Sequence, residues 1–346
     1  MDRWLPGAAA RETERARGIR YGVKAIRVTA IGGPEVLKPA EIDQPVPGPD
    51  DVLIRQTAVG LNYIDVYVRT GVYKRDLPFV PGREGAGTVV SVGANVTAFS
   101  PGMRVGYAEA PALGGYAEYN AVPARYCVAI PDGIGDDVAC AALLQGMTAH
   151  YLVTDSYAVG TGDCVLVHAA AGGVGRLLVQ MAKARGATVI ATAGGSAKCA
   201  LAASAGADHT IDYRALDFAE EVKRLTDGAG VDCVYDAVGK ETWERSLSIL
   251  RVRGSFVLYG AASGPVPPID PMRLSAAGSV FFSRPTAGHF MRTHGELMER
   301  MSDVFDEILA GRLGVRIGTV YPLADAARAH RDLEGRATTG KSILRP

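Results

Sequence analysis

The chain has 346 residues with 37 basic and 37 acidic side chains, so its formal net charge at neutral pH is zero. It is 48% hydrophobic and 21% charged, which is typical of a globular protein long enough for two domains. The even balance does not favour nucleic acid or an anionic membrane as the main partner. No apolar run reaches the roughly 20 residues of a membrane span.

The first 22 residues differ in composition from the rest of the chain. They are polar, rich in arginine and lack the apolar core of a secretory signal, so we expect a disordered extension before folded sequence begins at Val23. The five cysteines are scattered and include no Cys-x-x-Cys pair. This pattern favours a reducing compartment, and we expect a cytoplasmic protein without disulfides or a cysteine zinc site.

Residues 23–143 are predicted to form a β-rich domain. Clusters of glycine and proline separate short alternating runs at 24–29, 51–59, 87–92, 104–107, 115–122 and 127–130. Such spacing is typical of an irregular barrel or sandwich.

Residues 144–285 show a different pattern, in which strands alternate with helices. Strands are predicted at 163–168, 187–193, 208–212, 231–236, 254–260 and 278–283. This alternation predicts a parallel, doubly wound sheet. A helical stretch, a strand, another helix and a last strand follow, and we expect this tail, residues 286–346, to complete the first domain.

A glycine-rich turn after the first of these parallel strands is the clearest functional signal. Gly172 and Gly175 have the spacing of G-x-G-x-x-G, with Ala170 in the first glycine position. The absence of a side chain at Gly172 lets the backbone approach a pyrophosphate, and Gly175 lets the following helix pack closely on the strand. The turn therefore predicts a dinucleotide bound at the helix N-terminus.

The end of the next strand indicates which dinucleotide is bound. NAD sites usually have Asp or Glu there to bind the ribose hydroxyls, whereas this strand ends in Ala193 and two glycines, followed by Ser196 and Lys198. A carboxylate would repel a 2′-phosphate, and its absence favours NADP(H). Lys198 taken alone is better explained as a solvated lysine at the start of a helix, so the missing acid is the stronger half of this argument.

Beyond these patterns, the chain from about residue 23 to its end resembles the zinc-free quinone oxidoreductases related to zeta-crystallin, within the medium-chain dehydrogenase/reductases. The bacterial NADPH:quinone reductases are especially similar. The motifs that carry the resemblance are 32–37 (GGPEVL), 60–71 (GLNYIDVYVRTG), 81–87 (PGREGAG), 144–152 (LQGMTAHYL), 168–175 (HAAAGGVG), 236–239 (DAVG) and 335–341 (GRATTGK).

The resemblance implies an α/β protein with a GroES-like catalytic domain and a Rossmann domain, NADPH in the cleft between them, and a homodimer formed at the sheet edge near residues 278–282. The implied cofactor contacts are Asn62, Asp65, Gln145, Ala171, Gly172, Gly173, Val174, Ser196, Lys198, Tyr213, Tyr259, Gly260, Phe282, Ser283, Arg284 and Arg336. Of these, Lys198, Tyr213 and Arg336 would hold the 2′-phosphate. Close bacterial relatives often have lysine in place of Gln145, which can hydrogen-bond a phosphate but carries no charge.

The same resemblance argues against a metal. Zinc alcohol dehydrogenases have a Cys-His pair at the start of the segment that corresponds to residues 62–65 here. They have a histidine at the position of Arg83. The hypothesis is that NADPH transfers a hydride to a quinone, with Asn62 and Tyr67 as catalytic residues. Asn62 would donate a hydrogen bond to the carbonyl oxygen, and Tyr67 would donate a hydrogen bond or a proton. Tyr67 could instead be a core residue, and one-electron transfer stays open.

Two other functions remain open from the sequence. An enone or alkenal reductase would use the same fold, cofactor and hydride geometry with a different pocket. A non-catalytic NADPH-binding protein is the alternative outside enzymes, since relatives of this kind serve as lens proteins or bind RNA. The neutral charge balance disfavours RNA, with the arginines of residues 1–22 as the local exception.

Overall fold

The computed structural model describes residues 22–110 and 113–346. The predicted extension, residues 1–22, therefore lies outside the described residues except for Gly22. The chain divides into two compact units. The first runs to Leu143 and also contains Thr319–Ala337 and Ser342–Pro346, and the second contains Leu144–Gly318 and Thr338–Lys341.

The secondary structure follows in chain order. The strands are β1 (Gly22–Arg27), β2 (Lys38–Asp43), β3 (Asp51–Leu61), β4 (Gly85–Val92), β5 (Arg104–Tyr107), β6 (Tyr119–Pro123), β7 (Cys127–Ala129), β8 (Cys164–Val167), β9 (Thr188–Ala193), β10 (His209–Asp212), β11 (Val231–Asp236), β12 (Leu250–Leu258), β13 (Phe281–Ser283), β14 (Ile317–Pro322) and β15 (Lys341–Arg345). The α-helices are α1 (Tyr63–Arg69), α2 (Asp136–Tyr151), α3 (Gly173–Ala184), α4 (Ser196–Ala203), α5 (Phe218–Leu225), α6 (Trp243–Ser248), α7 (Pro271–Ala276), α8 (His294–Leu309) and α9 (Ala326–Glu334).

The first unit is built on a mainly antiparallel sheet in the order β14-β15-β3-β4-β5-β7, with β6 also paired to β3. One end of β3 contributes Val52 and Ile54 to a core that includes Tyr107. Its other end contributes Val59 and Leu61 to a second core, which the C-terminal tail completes. The long strand β3 therefore links the two cores and leads directly into α1.

The second unit is a parallel sheet in the order β10-β9-β8-β11-β12-β13. Its strands are apolar runs buried on both faces, as in sheets covered by helices. The strand order reverses direction between β8 and β11, and ligands of doubly wound sheets bind beyond the carboxyl ends of strands at such a point. The predicted fold class, a GroES-like β-rich domain with a Rossmann sheet, is confirmed.

Part of the tail differs from the prediction. All of 286–346 was assigned to the first domain, whereas residues up to Gly318 group with the second unit. Side chains explain this grouping. The Tyr151 and Phe290 rings stack with centroids 4.3 Å apart, and Arg300 of α8 pairs with Asp155 at 2.8 Å.

Two elements were absent from the sequence prediction. Helix α2 is apolar on nearly all sides and mostly buried, so it shows no contrast at the 3.6-residue period. Strand β2 begins with a lysine and a proline and has no fully buried residue, so only the short alternation from Ala40 to Asp43 marks it as a strand. Within the described part of the chain, no helix combines the length and apolar character needed to cross a bilayer.

Candidate active site

Asn62, one of the predicted catalytic residues, is the N-cap residue of helix α1. The main-chain N–H of Asn62 donates to Asp65 Oδ2 at 2.9 Å, and the two residues form a capping box. The Asn62 side chain donates from Nδ2 to Glu84 Oε2 at 2.7 Å, and Glu84 is fully buried. The amide of Asn62 is therefore held in a fixed orientation by a carboxylate just before β4.

A buried polar chain joins α1 to α9. Tyr116 Oη donates to Asp65 Oδ2 at 3.2 Å and lies 3.0 Å from His330 Nε2. On the other side of the imidazole, Arg69 Nη1 lies 3.4 Å from His330 Nδ1. Arg69 then makes a two-pronged ion pair with Glu334, at 3.0 and 2.7 Å. Helix α1 is thus fixed to α9 by side chains at several points.

The protonation states of the side chains determine which group donates and which accepts in each of these hydrogen bonds. Burial, and then the positive charge of Arg69, lowers the pKa of His330 to about 3, so the ring is neutral at neutral pH. Since arginine only donates, Nδ1 of His330 must accept, and Nε2 carries the proton toward Tyr116. Burial and the nearby Asp65 carboxylate raise the pKa of Tyr116, so its hydroxyl stays protonated and donates to Asp65.

Arg83 stands one residue before Glu84, where the resemblance places a zinc ligand in other dehydrogenases. Its Nη1 pairs with Glu109 Oε2 at 2.8 Å, and both side chains are largely shielded from solvent. Burial raises the pKa of Glu109, and the charge of Arg83 opposes that shift. The position therefore presents a paired cation and no metal donor.

Tyr67 lies on α1 within a row of tyrosines. Its ring centroid is 5.3 Å from that of Tyr63 and 5.5 Å from that of Tyr73. Burial, followed by the charge of Glu334, raises the pKa of Tyr63. Tyr67 is partly buried among these rings and partly accessible, so the structure is compatible with both interpretations of this residue.

In the second unit, the glycine-rich turn leads from β8 into α3. Gly172 is the N-cap residue and has no side chain with which to cap the helix, so the N–H groups of the first turn are available to a ligand. A Cβ built on Gly175 would lie 2.8 Å from Ala170 Cα, which explains the need for glycine there. The N–H of Gly340 donates to Ala171 O at 2.9 Å, so the end of the chain braces this turn.

Gln145 and the end of β9 complete this region of the second unit. A Cβ built on Gly173 would overlap the Gln145 side chain, so Gln145 lies against the first residue of α3. Ser196 begins α4, with Lys198 in its first turn. A Cβ built on Gly194 would lie 2.6 Å from Tyr213 Oη, which places that hydroxyl over the turn after β9.

The remaining predicted contacts follow the carboxyl ends of β11, β12 and β13. Asp236 shapes the first loop by accepting from the N–H groups of Val238 and Gly239 and from the Thr242 hydroxyl. The N–H of Tyr259 donates to Asp236 O at 2.9 Å, and burial raises the pKa of Tyr259. Gly260 follows Tyr259, and Phe282, Ser283 and Arg284 lie at the end of β13.

The predicted residues fall into two sets. The second unit brings together the set at the carboxyl ends of its parallel strands: Gln145, Ala171, Gly172, Gly173, Val174, Ser196, Lys198, Tyr213, Tyr259, Gly260, Phe282, Ser283 and Arg284. Asn62, Asp65, Tyr67 and Arg336 belong to the first unit. Their assignment to one shared site stays a prediction.

The chain matches two family models, described as "Alcohol dehydrogenase GroES-like domain" over residues 48–132 and "Zinc-binding dehydrogenase" over residues 173–307. A protein of Pseudomonas aeruginosa named quinone oxidoreductase is 43% identical over 93% of this chain and 99% of its own length. The chain belongs to the quinone oxidoreductase family of the medium-chain dehydrogenase/reductases. The family predicted from the sequence motifs is confirmed.

Two further relatives are informative about the quinone oxidoreductase family. A Burkholderia protein named 2-haloacrylate reductase is 41% identical over 94% of this chain and 99% of its own length. The crystal structure of Escherichia coli quinone oxidoreductase complexed with NADPH has a TM-score of 0.91 and 40% identity, and covers 93% of this chain and 100% of that one. These similarities extend across both units.

In this member of the quinone oxidoreductase family, the residues that hold α1 in place could not be recognised from the sequence. Glu84 lies in a quoted motif, but it was read only for the absent zinc ligand beside it. Arg69, His330 and Glu334 gave no signal, because more than 260 residues separate the partners along the chain. Within the described residues, no cluster of three or more His, Cys, Asp or Glu side chains could hold a metal ion.

Proposed function

We propose that this protein is an NADPH-dependent quinone reductase that works without zinc. The observation that carries the proposal is the turn from β8 into α3, whose uncapped N–H groups suit a pyrophosphate. A Cβ at Gly172 would meet only Ala169 O, at 3.2 Å, so the space above the turn is open as a bound phosphate requires. Relatives named for quinone reduction and a structural neighbour complexed with NADPH support the same conclusion.

NADPH would supply the hydride, and the protein would supply binding and orientation. The N–H groups of the turn would hold the pyrophosphate, while the loops after β11 and β12 would shape the site near it. Asn62 would donate a hydrogen bond to a quinone oxygen, and its bond to Glu84 fixes the amide in advance. Tyr67 would donate a hydrogen bond or a proton to the reduced quinone. The cleft between the domains is the location that the resemblance predicts.

Zinc independence is proposed from the donor set. A catalytic zinc takes about three protein ligands from Cys, His or carboxylate groups. Here the corresponding positions hold an amide, Asn62, and a guanidinium, Arg83, which is already paired with Glu109. A quinone needs less polarisation than an alcohol because it is already electrophilic.

The test is NADPH oxidation by the purified protein with para-benzoquinone and phenanthrenequinone, in the presence of a chelator, with NADH in parallel. We expect fast, chelator-insensitive reduction with NADPH. Loss of activity in the chelator would overturn zinc independence, and NADPH binding without turnover would favour the non-catalytic alternative.

Tyr67→Phe, with Tyr73→Phe as the matched control, tests whether the Tyr67 hydroxyl donates a proton. A proton donor should lose about 100-fold in kcat, whereas a core residue should lose little.

The relative named 2-haloacrylate reductase favours a second candidate, reduction of an activated carbon–carbon double bond. The same hydride position would serve both acceptors, and the pocket would decide between them. An enone and haloacrylate panel run beside the quinones separates the two. Turnover confined to the panel would reassign the protein to the alkene reductases.

We also propose a homodimer formed through the edge strand β13. Phe281 on this strand is 65% exposed, and β13 pairs only with β12 among the described residues. Phe281→Glu should convert a dimer, measured by light scattering, into a monomer. A monomeric wild-type protein would contradict the proposal.

A further inference from the structure

The turn after β9 is covered by a second basic residue besides Lys198. Tyr213 and Arg214 follow β10, and both side chains lie back over Gly194 and Gly195. A Cβ built on Gly194 would lie 3.1 Å from Arg214 Nε, and one built on Gly195 would lie 3.6 Å from Arg214 Nη1. The guanidinium is therefore next to the backbone at the point where β9 ends.

Asp212 holds this arrangement in place. Its Oδ1 accepts from the N–H of Gly195 at 2.8 Å and from the N–H of Arg214 at 3.0 Å. One carboxylate thus ties the turn after β9 to the turn after β10. These backbone hydrogen bonds lower the pKa of Asp212, so it remains an acceptor at neutral pH.

The guanidinium of Arg214 donates no hydrogen bond to another residue in the part of the chain that the structure describes. Several other exposed arginines of this unit are paired, as Arg224 is with Glu221 at 2.8 Å. In Rossmann units that bind a dinucleotide, the adenosine ribose lies at the end of the second strand. A nearby arginine accommodates the 2′-phosphate when the dinucleotide is NADP. The planar guanidinium can bind a phosphate through two parallel hydrogen bonds.

We propose that Arg214 is a cofactor-specificity residue that binds the 2′-phosphate of NADPH, and that Asp212 is the residue that positions it. This inference rests on the proposed function, because it presumes that the Rossmann unit binds NADPH. Arg214 approaches the phosphate from β10, while Lys198 approaches from α4, so the two cations lie on different elements. Discrimination against NADH would then depend on both.

The experiment measures dissociation constants by isothermal titration calorimetry for NADPH, NADH, 2′,5′-ADP and 5′-ADP. Arg214→Gln should weaken NADPH and 2′,5′-ADP about tenfold, by loss of a charged two-pronged contact. Binding of NADH and 5′-ADP should be unchanged. Arg224→Gln, which removes an exposed arginine of the same unit, is the matched control and should leave all four constants unchanged.

Asp212 is tested by a pair of variants. Asp212→Ala removes the acceptor for both N–H groups and should weaken NADPH selectively, whereas Asp212→Asn keeps an oxygen there and should restore most of the affinity. Equal weakening of NADPH and NADH by Asp212→Ala would show a purely structural role and overturn its assignment as a positioning residue.

The outcomes separate this inference from the proposed function. If the wild-type protein prefers NADPH but Arg214→Gln keeps that preference, the role of Arg214 is wrong and the reductase proposal stands. If the wild-type protein binds neither NADPH nor 2′,5′-ADP, the proposed cofactor is wrong, and the inference falls with it.

Discussion

The two sets of candidate site residues are built by different means. In the first unit, side chains hold Asn62 and α1 in place. Glu84 binds the Asn62 amide, and a series of buried side-chain hydrogen bonds ends in the Arg69–Glu334 ion pair. In the second unit, the turn into α3 is made almost entirely of backbone, with glycines where a side chain would collide.

This difference teaches which substitutions each site tolerates. A site held by buried polar side chains is vulnerable to the loss of a partner, because the group left behind stays buried and unpaired. A site made of backbone is vulnerable to added atoms.

Removing Glu334 should have the largest effect on stability. Glu334→Gln leaves the buried guanidinium of Arg69, 1% exposed, without its counter-ion. We expect a loss of about 3 kcal/mol in the free energy of unfolding, measured by urea denaturation. Glu307→Gln, which breaks the exposed pair with Arg312, is the control and should cost at most about 1 kcal/mol. Equal losses in the two variants would contradict a site held by buried charge.

Adding one methyl group to the turn tests the other side. Gly175→Ala places a Cβ 2.8 Å from the backbone of Ala170, which cannot move as a flexible side chain could. Helix propensity would favour alanine by about 1 kcal/mol, but overpacking costs about 1–3 kcal/mol. We expect a net loss of stability and weaker NADPH binding by calorimetry. Gly160→Ala, with its nearest contact at 3.8 Å, is the control, and unchanged binding in Gly175→Ala would refute the argument.

Acid should weaken the side-chain network through His330. Its pKa is about 3 when folded and about 6.5 when unfolded, so only the unfolded chain gains this proton between those values. Stability from this group is full above pH 6.5 and falls toward pH 3, by up to about 1.4 kcal/mol per pH unit. His330→Gln should flatten the dependence of unfolding free energy on pH. Parallel curves for the wild type and the variant would exclude His330, and His209→Gln at an exposed position is the control.

The smallest effect is expected at the rim of the backbone site. Lys198→Ala should weaken NADPH binding about fivefold and leave NADH binding unchanged, because a partly exposed charge contributes at most about 1 kcal/mol. Fluorescence titration with both cofactors measures the ratio, and Lys223→Ala is the control. An equal change for both cofactors would remove Lys198 from the phosphate site.

The glycine-rich turn into α3 could be predicted from the sequence, and the side-chain contacts that hold α1 largely could not. Gly172 and Gly175 are visible because a phosphate turn needs glycine at fixed local spacing, and the missing acid after β9 is equally local. The partners of Arg69 could not be found from the sequence. His330 and Glu334 become neighbours of Arg69 only when the C-terminal tail folds back against the first unit. Arg214 was also missed. The resemblance implied a role for its neighbour Tyr213, but the local pattern of the phosphate turn ends with the residues after β9 and gives no signal at Arg214.

The interleaved tail has a consequence for how the protein folds as it is synthesised. Ser342 of β15 pairs with Leu61 of β3, so the sheet of the first unit cannot be completed until β15 has been synthesised. The six parallel strands of the second unit, by contrast, are all present once Ser283 has emerged. Strand β3 is therefore synthesised long before its partner β15 and has an exposed edge until β15 pairs with it. Dependence on chaperones should concentrate in the first unit for this reason.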